Sequence, residues 1–267
     1  MGEPPTFLQE RNAHPRDEFI TFEEGPHIYT VNGERGTYTS VTTWNHSHFS
    51  KFETDKIIGR ILKSSRWDSD PEYKYYKQSA EDIKAMWEKN RDSSAGSGTK
   101  MHYDIECFYN NMDVKNDSIE YQYFMKFYED YKHLKPYRTE WMVFHEEMKL
   151  SGSIDMIFEN PDGTLQIYDW KRCKSIEHES QYGKYASTDC ISHFPDTNYW
   201  HYTLQLNIYR RILEEKYGKI VTDLYLVCLH PDNQYKTYDR ILVQKIDKDI
   251  DALFELRRKQ IETKEPK

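Results

Sequence analysis

Two aspartates and a lysine lie on neighbouring apolar runs in residues 152–171, GSIDMIFENPDGTLQIYDWK. The turn Asn160-Pro161-Asp162-Gly163 predicts a β-hairpin, because proline sets φ at the second position of a type I turn and glycine accepts the left-handed conformation that follows. In such a loop the residues on either side of the turn pair, which places Asp155 opposite Asp169. Lys171 shares the face of Asp169, two residues further on.

Carboxylates directly opposite each other on paired strands repel unless a cation lies between them. Mg²⁺ and Mn²⁺ are hard cations that prefer oxygen ligands, so the pair of Asp155 and Asp169 predicts a divalent-metal site. From the hairpin alone, a solvent-exposed strand face with a few charges remains an equal alternative. A slip of one residue in the register would also separate the two carboxylates.

Four further segments carry polar groups suited to metal-dependent hydrolysis. They are Gly98-Thr99-Lys100-Met101-His102 at a helix start, Glu140 on the strand before the hairpin, Gly152-Ser153-Ile154-Asp155, and Gln205 with Tyr209. Gln205 and Tyr209 are four residues apart, so they share one face of a helix. Each segment also has an ordinary structural explanation: a satisfied histidine, a surface carboxylate or an amphipathic helix.

In chain order these residues read H, E, GxxD, DxK and QxxxY, a pattern that resembles the PD-(D/E)XK nuclease superfamily and, within it, the RecB-type exonucleases. The sequence most resembles the mitochondrial genome maintenance exonuclease type. That type shares a His-Tyr strand leading into Ser-Val-Thr, here HIYT followed by Ser40-Val41-Thr42, and the triplet Asp169-Trp170-Lys171. The resemblance extends over roughly residues 27–215.

The resemblance implies an α/β fold, a restriction-endonuclease-like core with a mixed central sheet flanked by helices. It implies Mg²⁺ or Mn²⁺ held by His102, Asp155, Asp169 and the carbonyl of Trp170. Lys171 would orient or activate water, and Gln205 would position Lys171 or the nucleic acid. Glu140 would bind a second metal or support the ligands, a role for which Glu146 and Glu147 compete.

Contacts with nucleic acid are implied for residues outside the metal ligands. They are Ser40, Thr42, Thr99, Lys174 and Tyr209, of which Tyr209 has bracing of its helix as an alternative role. Hydroxyls at a strand end and a solvated charge cluster are the ordinary explanations for Ser40, Thr42 and Lys174. One cysteine early and three late mark an iron–sulfur subgroup of these nucleases, and the spacing here does not reproduce that arrangement, so no cluster is expected.

Composition limits the class of protein. With 31% charged and 15% aromatic residues, the chain is too aromatic for a disordered protein and too polar for a membrane protein. The net charge of −8 argues against coating nucleic acid by bulk electrostatics but allows a local basic groove. The four cysteines lack CxxC or zinc-like spacing, which predicts free thiols in a reducing, intracellular compartment. The N-terminal residues resemble neither a signal peptide nor a transit peptide.

Periodicity predicts a flexible leader over residues 1–20 and a single nuclease domain over 21–267. Helices are expected over about 49–64, 80–90, from 99 onward, 118–132, 199–217 and 247–263, with a break at SSAGSGT (93–99). Strands are expected over 27–31, 37–41, 137–146, 221–230 and 237–243 beside the hairpin. Residues 175–198 form a long loop of the kind that is often functional.

The favoured function is a metal-dependent deoxyribonuclease, an exonuclease acting on single-stranded or flap ends of DNA. Single-stranded bases stack on aromatic side chains, and Tyr75, Tyr76, Trp87 and the loop over 175–200 are the expected platforms. A structure-specific endonuclease with the same site and an inactive nucleic-acid-binding module remain alternatives. Replication, repair and recombination all use this chemistry; no membrane association is expected, and protein partners stay unknown.

Overall fold

The computed structural model describes residues 4–263 of the 267-residue chain. Its helices are α1 (Phe7–Arg11), α2 (Val41–His46), α3 (Thr54–Leu62), α4 (Ser65–Ser69), α5 (Ala80–Tyr109), α6 (Ile119–Asp130), α7 (Asn198–Lys216) and α8 (Asp247–Glu262), with 3₁₀ helices at Pro15–Phe19 and Asp189–Ile191. Its strands are β1 (Ile20–Glu23), β2 (Ile28–Val31), β3 (Glu34–Arg35), β4 (Thr39–Ser40), β5 (Lys135–His145), β6 (Leu150–Glu159), β7 (Leu165–Lys171), β8 (Val221–Cys228) and β9 (Asp239–Leu242).

The described chain forms two compact units, one of residues 4–50 with 101–263 and one of residues 51–100. The prediction treated 21–267 as one domain. The smaller unit contains α3, α4 and the first part of α5. Within it, Trp87 Nε1 donates to the Tyr75 hydroxyl at 3.1 Å, and Trp67 Nε1 donates to the Gln78 carbonyl at 2.9 Å.

A mixed sheet runs through the larger unit. β6 is antiparallel to β5 and β7 and parallel to β4, β7 is parallel to β8, and β9 is antiparallel to β8. A small antiparallel sheet of β1, β2 and β3 stands beside it. The predicted α/β fold, a mixed central sheet flanked by helices, is confirmed.

Both faces of the mixed sheet are buried, as the alternation of side chains along its strands requires. Ile167 and Leu226 belong to one apolar cluster, with Trp44 of α2 and Ile208 of α7. Their sequence neighbours Tyr168 and Val227 belong to the other, which contains residues of α1, α5 and α6. The sheet therefore lies between two helical layers, and side chains from both layers can reach its strand ends.

Two strands pair with separate parts of the same edge of β6 and leave an opening between them, which we call the fork. β5 pairs with β6 from Leu150 to Glu159, so β4 and β7 must share the opposite edge. On that edge β4 takes Leu150 and Ser151, whereas β7 takes Met156 to Glu159. Among the described strands, none pairs with residues 152–155 on this edge, and Gly152 and Asp155 bound the opening.

The hairpin register is the predicted one. Asn160 N–H donates to the Thr164 carbonyl at 2.8 Å, and Gly163 has φ of +83°, as the left-handed residue after a type I turn should. The pairs run from Glu159 with Leu165 to Met156 with Tyr168. Continued by one residue, the register places Asp155 level with Asp169.

Residues 4–20 differ from the expected flexible leader. Leu8 of α1 is buried and belongs to an apolar cluster of the core. Asp17 accepts hydrogen bonds from Arg138 at 2.7 Å and from Trp141 Nε1 at 2.8 Å. Arg138 and Trp141 are both buried on β5, so β5 needs this segment to neutralise its arginine, a dependence that local sequence pattern does not reveal.

Helix α5 shows a second difference, because it continues through residues 93–99 where a break was expected. Glycine in a helix interior costs only about 1 kcal/mol, and extending an existing helix adds a hydrogen bond for each residue fixed. Most other expected elements appear close to their predicted bounds, including α7, which stops before Gly218 with φ of +61°. The helix expected from residue 49 begins at Thr54, and Val41–His46 is a helix where none was expected. Within residues 4–263, no helix combines the length and apolarity needed to cross a bilayer.

Replacing Asp17 tests the docking of the N-terminal segment. Asp17→Ala leaves the Arg138 guanidinium without its carboxylate, and we expect a loss of roughly 3 kcal/mol in the free energy of unfolding, measured by urea titration. Glu23→Gln removes a carboxylate from an exposed pair with Arg35 and should leave the midpoint unchanged. Equal behaviour of the two variants would show that residues 4–20 do not stabilise the fold.

Candidate active site

Three potential metal ligands meet beside the fork. His102 comes from α5, Glu140 from β5 and Asp155 from β6, and their ligand atoms lie within 4.8 Å of one another. His102 Nδ1 is 3.5 Å from Asp155 Oδ2 and 3.7 Å from Glu140 Oε1. We call His102, Glu140 and Asp155 the ligand cluster.

The carboxylates of the ligand cluster are held by neighbouring polar groups. Trp170 N–H donates to Asp155 Oδ2 at 2.9 Å, and the Ser153 hydroxyl donates to Glu140 Oε2 at 2.9 Å. Glu140 has φ of +41° in the middle of a strand, a left-handed conformation that non-glycine residues rarely adopt and that costs about 1–3 kcal/mol. The strand therefore carries strain at the residue whose carboxylate faces His102.

Asp169 and Lys171 form a buried ion pair next to the cluster. Lys171 Nζ lies 2.7 Å from Asp169 Oδ2, and the side chains are 17% and 3% exposed. The lysine ammonium also lies 4.6 Å from the centre of the Tyr202 ring, a cation–π contact. The Asp169 carboxylate and the Tyr202 ring therefore hold the Lys171 ammonium in position from two sides.

Helix α7 reaches β6 through Tyr209. A Cβ at Gly152 would lie 2.7 Å from both Cε1 and the hydroxyl of Tyr209, so only glycine allows this approach. Tyr209 is 3% exposed and its hydroxyl is hydrogen bonded with Gln205. The predicted contact of Tyr209 with a base does not suit this burial, whereas the alternative bracing role does.

Burial and neighbouring charges shift the pKa values of the ionisable groups in the site. Burial, with the charge of Asp155, raises the pKa of Asp169 to about 7 although Lys171 opposes the shift. Burial likewise raises the pKa of Asp155. Burial would lower the pKa of His102, but the carboxylates of Asp155 and Glu140 outweigh it and raise that pKa to about 9. The site thus holds protons at neutral pH.

The ligand cluster fits a hard divalent cation by its chemistry. One imidazole nitrogen and two carboxylates converge there, and both Mg²⁺ and Mn²⁺ accept such ligands. A bound cation would take the place of the His102 proton, because a ligating imidazole must be neutral. Asp169 is the other predicted carboxylate ligand, and its Oδ2 faces Lys171.

The remaining predicted residues lie in different places. Ser40 caps α2, its hydroxyl accepting from Thr43 N at 3.1 Å, and pairs with Ser151 at the fork. Thr42, in the first turn of α2, is exposed.

The other three predicted residues make local contacts. Lys174 Nζ lies 2.7 Å from Asp232 Oδ2. The Thr99 hydroxyl donates to the Ala95 carbonyl within the smaller unit. Trp170, expected to offer its carbonyl, contacts Asp155 through its N–H.

Two residues of the site did not emerge from the sequence. Glu106 follows His102 by one helical turn, and burial together with the charge of Glu140 raises its pKa to about 8. Tyr202 precedes Gln205 by nearly one turn and covers Lys171. Both residues could have been found from helical spacing, because Glu106 shares a helix face with His102 and Tyr202 shares one with Gln205.

No protein-family model matches the chain, and no curated protein matches it. Among solved structures, the chain is similar to that of a protein from Eubacterium rectale described as "Putative exonuclease". The TM-score is 0.35 at 9% sequence identity, and the alignment covers 85% of this chain and 79% of that one.

Gly152→Ala tests the approach of α7 to β6. The added Cβ must displace the Tyr209 ring, and we expect a loss of about 1–3 kcal/mol in the free energy of unfolding. Gly59→Ala is the matched control, because nothing lies within 4 Å of a Cβ at Gly59 and alanine favours the helix. Combining Gly152→Ala with Tyr209→Ala should cost less than the sum of the two single changes; strict additivity would refute the contact.

Metal binding should stabilise the protein more at alkaline than at acidic pH. Without metal, the folded state keeps protons on Asp169 and His102 that the unfolded state has lost, so stability falls as pH rises from about 4 to 9. Bound Mn²⁺ removes the His102 part of this penalty, because a ligating imidazole must be deprotonated. We expect Mn²⁺ at a hundred times its dissociation constant to raise the free energy of unfolding by about 2.7 kcal/mol near pH 8 and by less near pH 5. Thermal melts with and without Mn²⁺ at the two pH values measure the difference.

Asp155→Asn should abolish the Mn²⁺-dependent part of the melting shift, whereas Asp117→Asn, at an exposed position, should retain it. A shift that survives in Asp155→Asn would place the metal elsewhere.

Proposed function

We propose that this chain is a metal-dependent nuclease that hydrolyses phosphodiester bonds in DNA. The observation that supports the proposal most is the position of a buried lysine–aspartate pair beside a ligand cluster of one histidine and two carboxylates. A structural ion pair has no need of a nearby group of potential metal ligands, and a metal-binding site alone has no need of a buried lysine. Hydrolysis of a phosphodiester uses both.

In this proposal His102, Glu140 and Asp155 hold the cation, with Asp169 as a further candidate ligand. A bound Mg²⁺ or Mn²⁺ would polarise the phosphate and lower the pKa of a bound water. Trp170 N–H and Ser153 each hold one of the two cluster carboxylates by a hydrogen bond, which limits the rearrangement that the ligands need. Such preorganisation is a main source of catalytic stabilisation.

Lys171 acts as a charged donor rather than as a base. Burial would lower its pKa, but the carboxylates of Asp169 and Asp155 outweigh burial and raise it. The ammonium therefore keeps its proton at neutral pH and cannot accept one from water. It can donate to the attacking water or to a phosphate oxygen, where negative charge develops in the transition state. Tyr202 restricts its position.

Exposed aromatic residues support a single-stranded or flap substrate. Tyr182 and Tyr185, in the long loop after β7, are 84% and 52% exposed. In the smaller unit Phe52 is 68% exposed, and its ring lies 5.9 Å from that of Trp87. Bases stack on such side chains with about 1–3 kcal/mol each. Exonuclease action on DNA ends is the form we favour, and a structure-specific endonuclease would use the same residues.

The test is cleavage of end-labelled single-stranded, duplex and closed circular DNA with Mg²⁺ or Mn²⁺. We expect degradation of linear DNA that EDTA abolishes, with circles spared. Lys171→Ala should lower the rate by about 10²–10³-fold or more, since it removes a transition-state donor. Lys132→Ala removes a lysine from an exposed ion pair with Glu129; it is the control and should stay within a few-fold.

Cleaved circles would establish the endonuclease in place of the exonuclease. DNA binding without metal-dependent cleavage of any substrate would contradict the proposal and favour an inactive binding module.

A further inference from the structure

Two cysteines lie next to Lys171 and have no part in the proposed hydrolysis. Cys173 Sγ is 3.5 Å from Cys228 Sγ, and the two thiols are hydrogen bonded. Cys228 pairs with Lys171 in the β7–β8 register, and Cys173 follows Lys171 by two residues. Both thiols are free. The pair thus joins the end of β7, which carries the lysine, to the end of β8.

We propose that Cys173 and Cys228 form a peroxide-sensitive pair, and that their disulfide reversibly disables the adjacent active site. The second half of the proposal rests on the nuclease function proposed above. Oxidation itself does not, because it depends only on the two thiols.

Both thiols of the pair can be reached by a small oxidant. Cys228 lines a cavity of about 270 Å³ together with Lys174, Ser175 and Tyr235. A water molecule occupies about 30 Å³ in the liquid, so a peroxide of two oxygen atoms fits easily. Cys173 is partly exposed, whereas Cys228 is buried. The cavity reaches the Cys228 side of the pair, whereas the partial exposure of Cys173 lets peroxide reach that thiol from solvent.

The electrostatic surroundings determine which thiol reacts first. The hydrogen bond with Cys228 lowers the pKa of Cys173, and the Lys171 ammonium lowers it further, while burial opposes both. The hydrogen bond to Cys173 and burial raise the pKa of Cys228. The thiolate is the nucleophile in thiol oxidation, so Cys173 is the attacking residue and Cys228 the resolving one.

The reaction balances with hydrogen peroxide as the oxidant. The Cys173 thiolate attacks one peroxide oxygen, the O–O bond breaks, and the leaving hydroxide takes a proton to become water. Cys228 sulfur then attacks the resulting sulfenic acid, the S–O bond breaks, and a second water leaves with the Cys228 proton. Two thiols and one peroxide give one disulfide and two waters, a route known for paired cysteines.

Closing the pair changes the packing directly beside Lys171. A disulfide needs sulfurs about 2.05 Å apart, so the observed 3.5 Å must shorten by more than an ångström. Lys171 carbonyl accepts from Leu229 N–H at 2.9 Å, which ties both cysteine-bearing strand ends to the lysine. A displacement of about 1 Å in a catalytic group can cost about 10²-fold in rate.

The first measurement is covalent and independent of activity. The protein is treated with hydrogen peroxide and its intact mass and non-reduced peptides are recorded. We expect a loss of about 2 Da, as disulfide formation requires, and a peptide joining Cys173 to Cys228, both reversed by dithiothreitol. Cys173→Ser should abolish the link, whereas Cys190→Ser, at another partly exposed free cysteine, should retain it. Absence of the link in the wild type overturns the proposal.

The second measurement is cleavage of linear DNA by the same samples. We expect peroxide to lower the rate of the wild type and of Cys190→Ser by about 10²-fold, with recovery in dithiothreitol, and to spare Cys173→Ser. A complete link with an unchanged rate overturns the regulatory role. If the untreated protein cleaves no DNA, the nuclease function fails, and the mass result alone decides whether the pair is oxidised.

Discussion

Repulsion among closely spaced carboxylates is the constraint on which the centre of this structure depends. Glu140 and Asp155 meet at His102, Asp169 lies near enough for the charge of Asp155 to raise its pKa, and the charge of Glu140 raises that of Glu106. Asp169 is buried and Asp155 nearly so, whereas Glu140 keeps a third of its side-chain surface in water. A buried charge such as that of Asp169 costs several kcal/mol unless it is neutralised, and solvent reduces the cost for the more exposed Glu140. The metal-free protein lowers the cost with the cations His102 and Lys171 and by raising the pKa values of its acids. A divalent cation would remove it more completely.

The surrounding elements keep these groups from moving apart. β4 and β7 leave an opening in the edge of β6 at Gly152 and Asp155, and the missing side chain of Gly152 admits Tyr209 from α7. Glu140 reaches the cluster only through a left-handed backbone conformation. Each feature costs some stability locally and is compensated by the buried sheet and its two helical layers. The arrangement is that of a site held ready for a ligand.

Local rules accounted for the hairpin well. Turn chemistry at Asn160-Pro161-Asp162-Gly163 fixed the register, and the register fixed the level of Asp155 and Asp169. The same rules could not show that His102 and Glu140 meet Asp155, because that contact joins three elements far apart in sequence; the family resemblance suggested it. They also missed the docking of residues 4–20, which depends on Arg138, and the continuity of α5, where tertiary context outweighs the glycines. Glu106 and Tyr202 could have been predicted from helical spacing alone, since each lies about one turn from a predicted site residue.

Anomalous diffraction from crystals grown with Mn²⁺ would locate the cation itself. We expect an anomalous peak within about 2 Å of the His102 imidazole and the Asp155 and Glu140 carboxylates, with the Lys171 ammonium beside it. Asp169 would either join these ligands or stay paired with Lys171. An ordered manganese ion elsewhere, with His102 still between two carboxylates, would contradict the assignment of this cluster as the metal site.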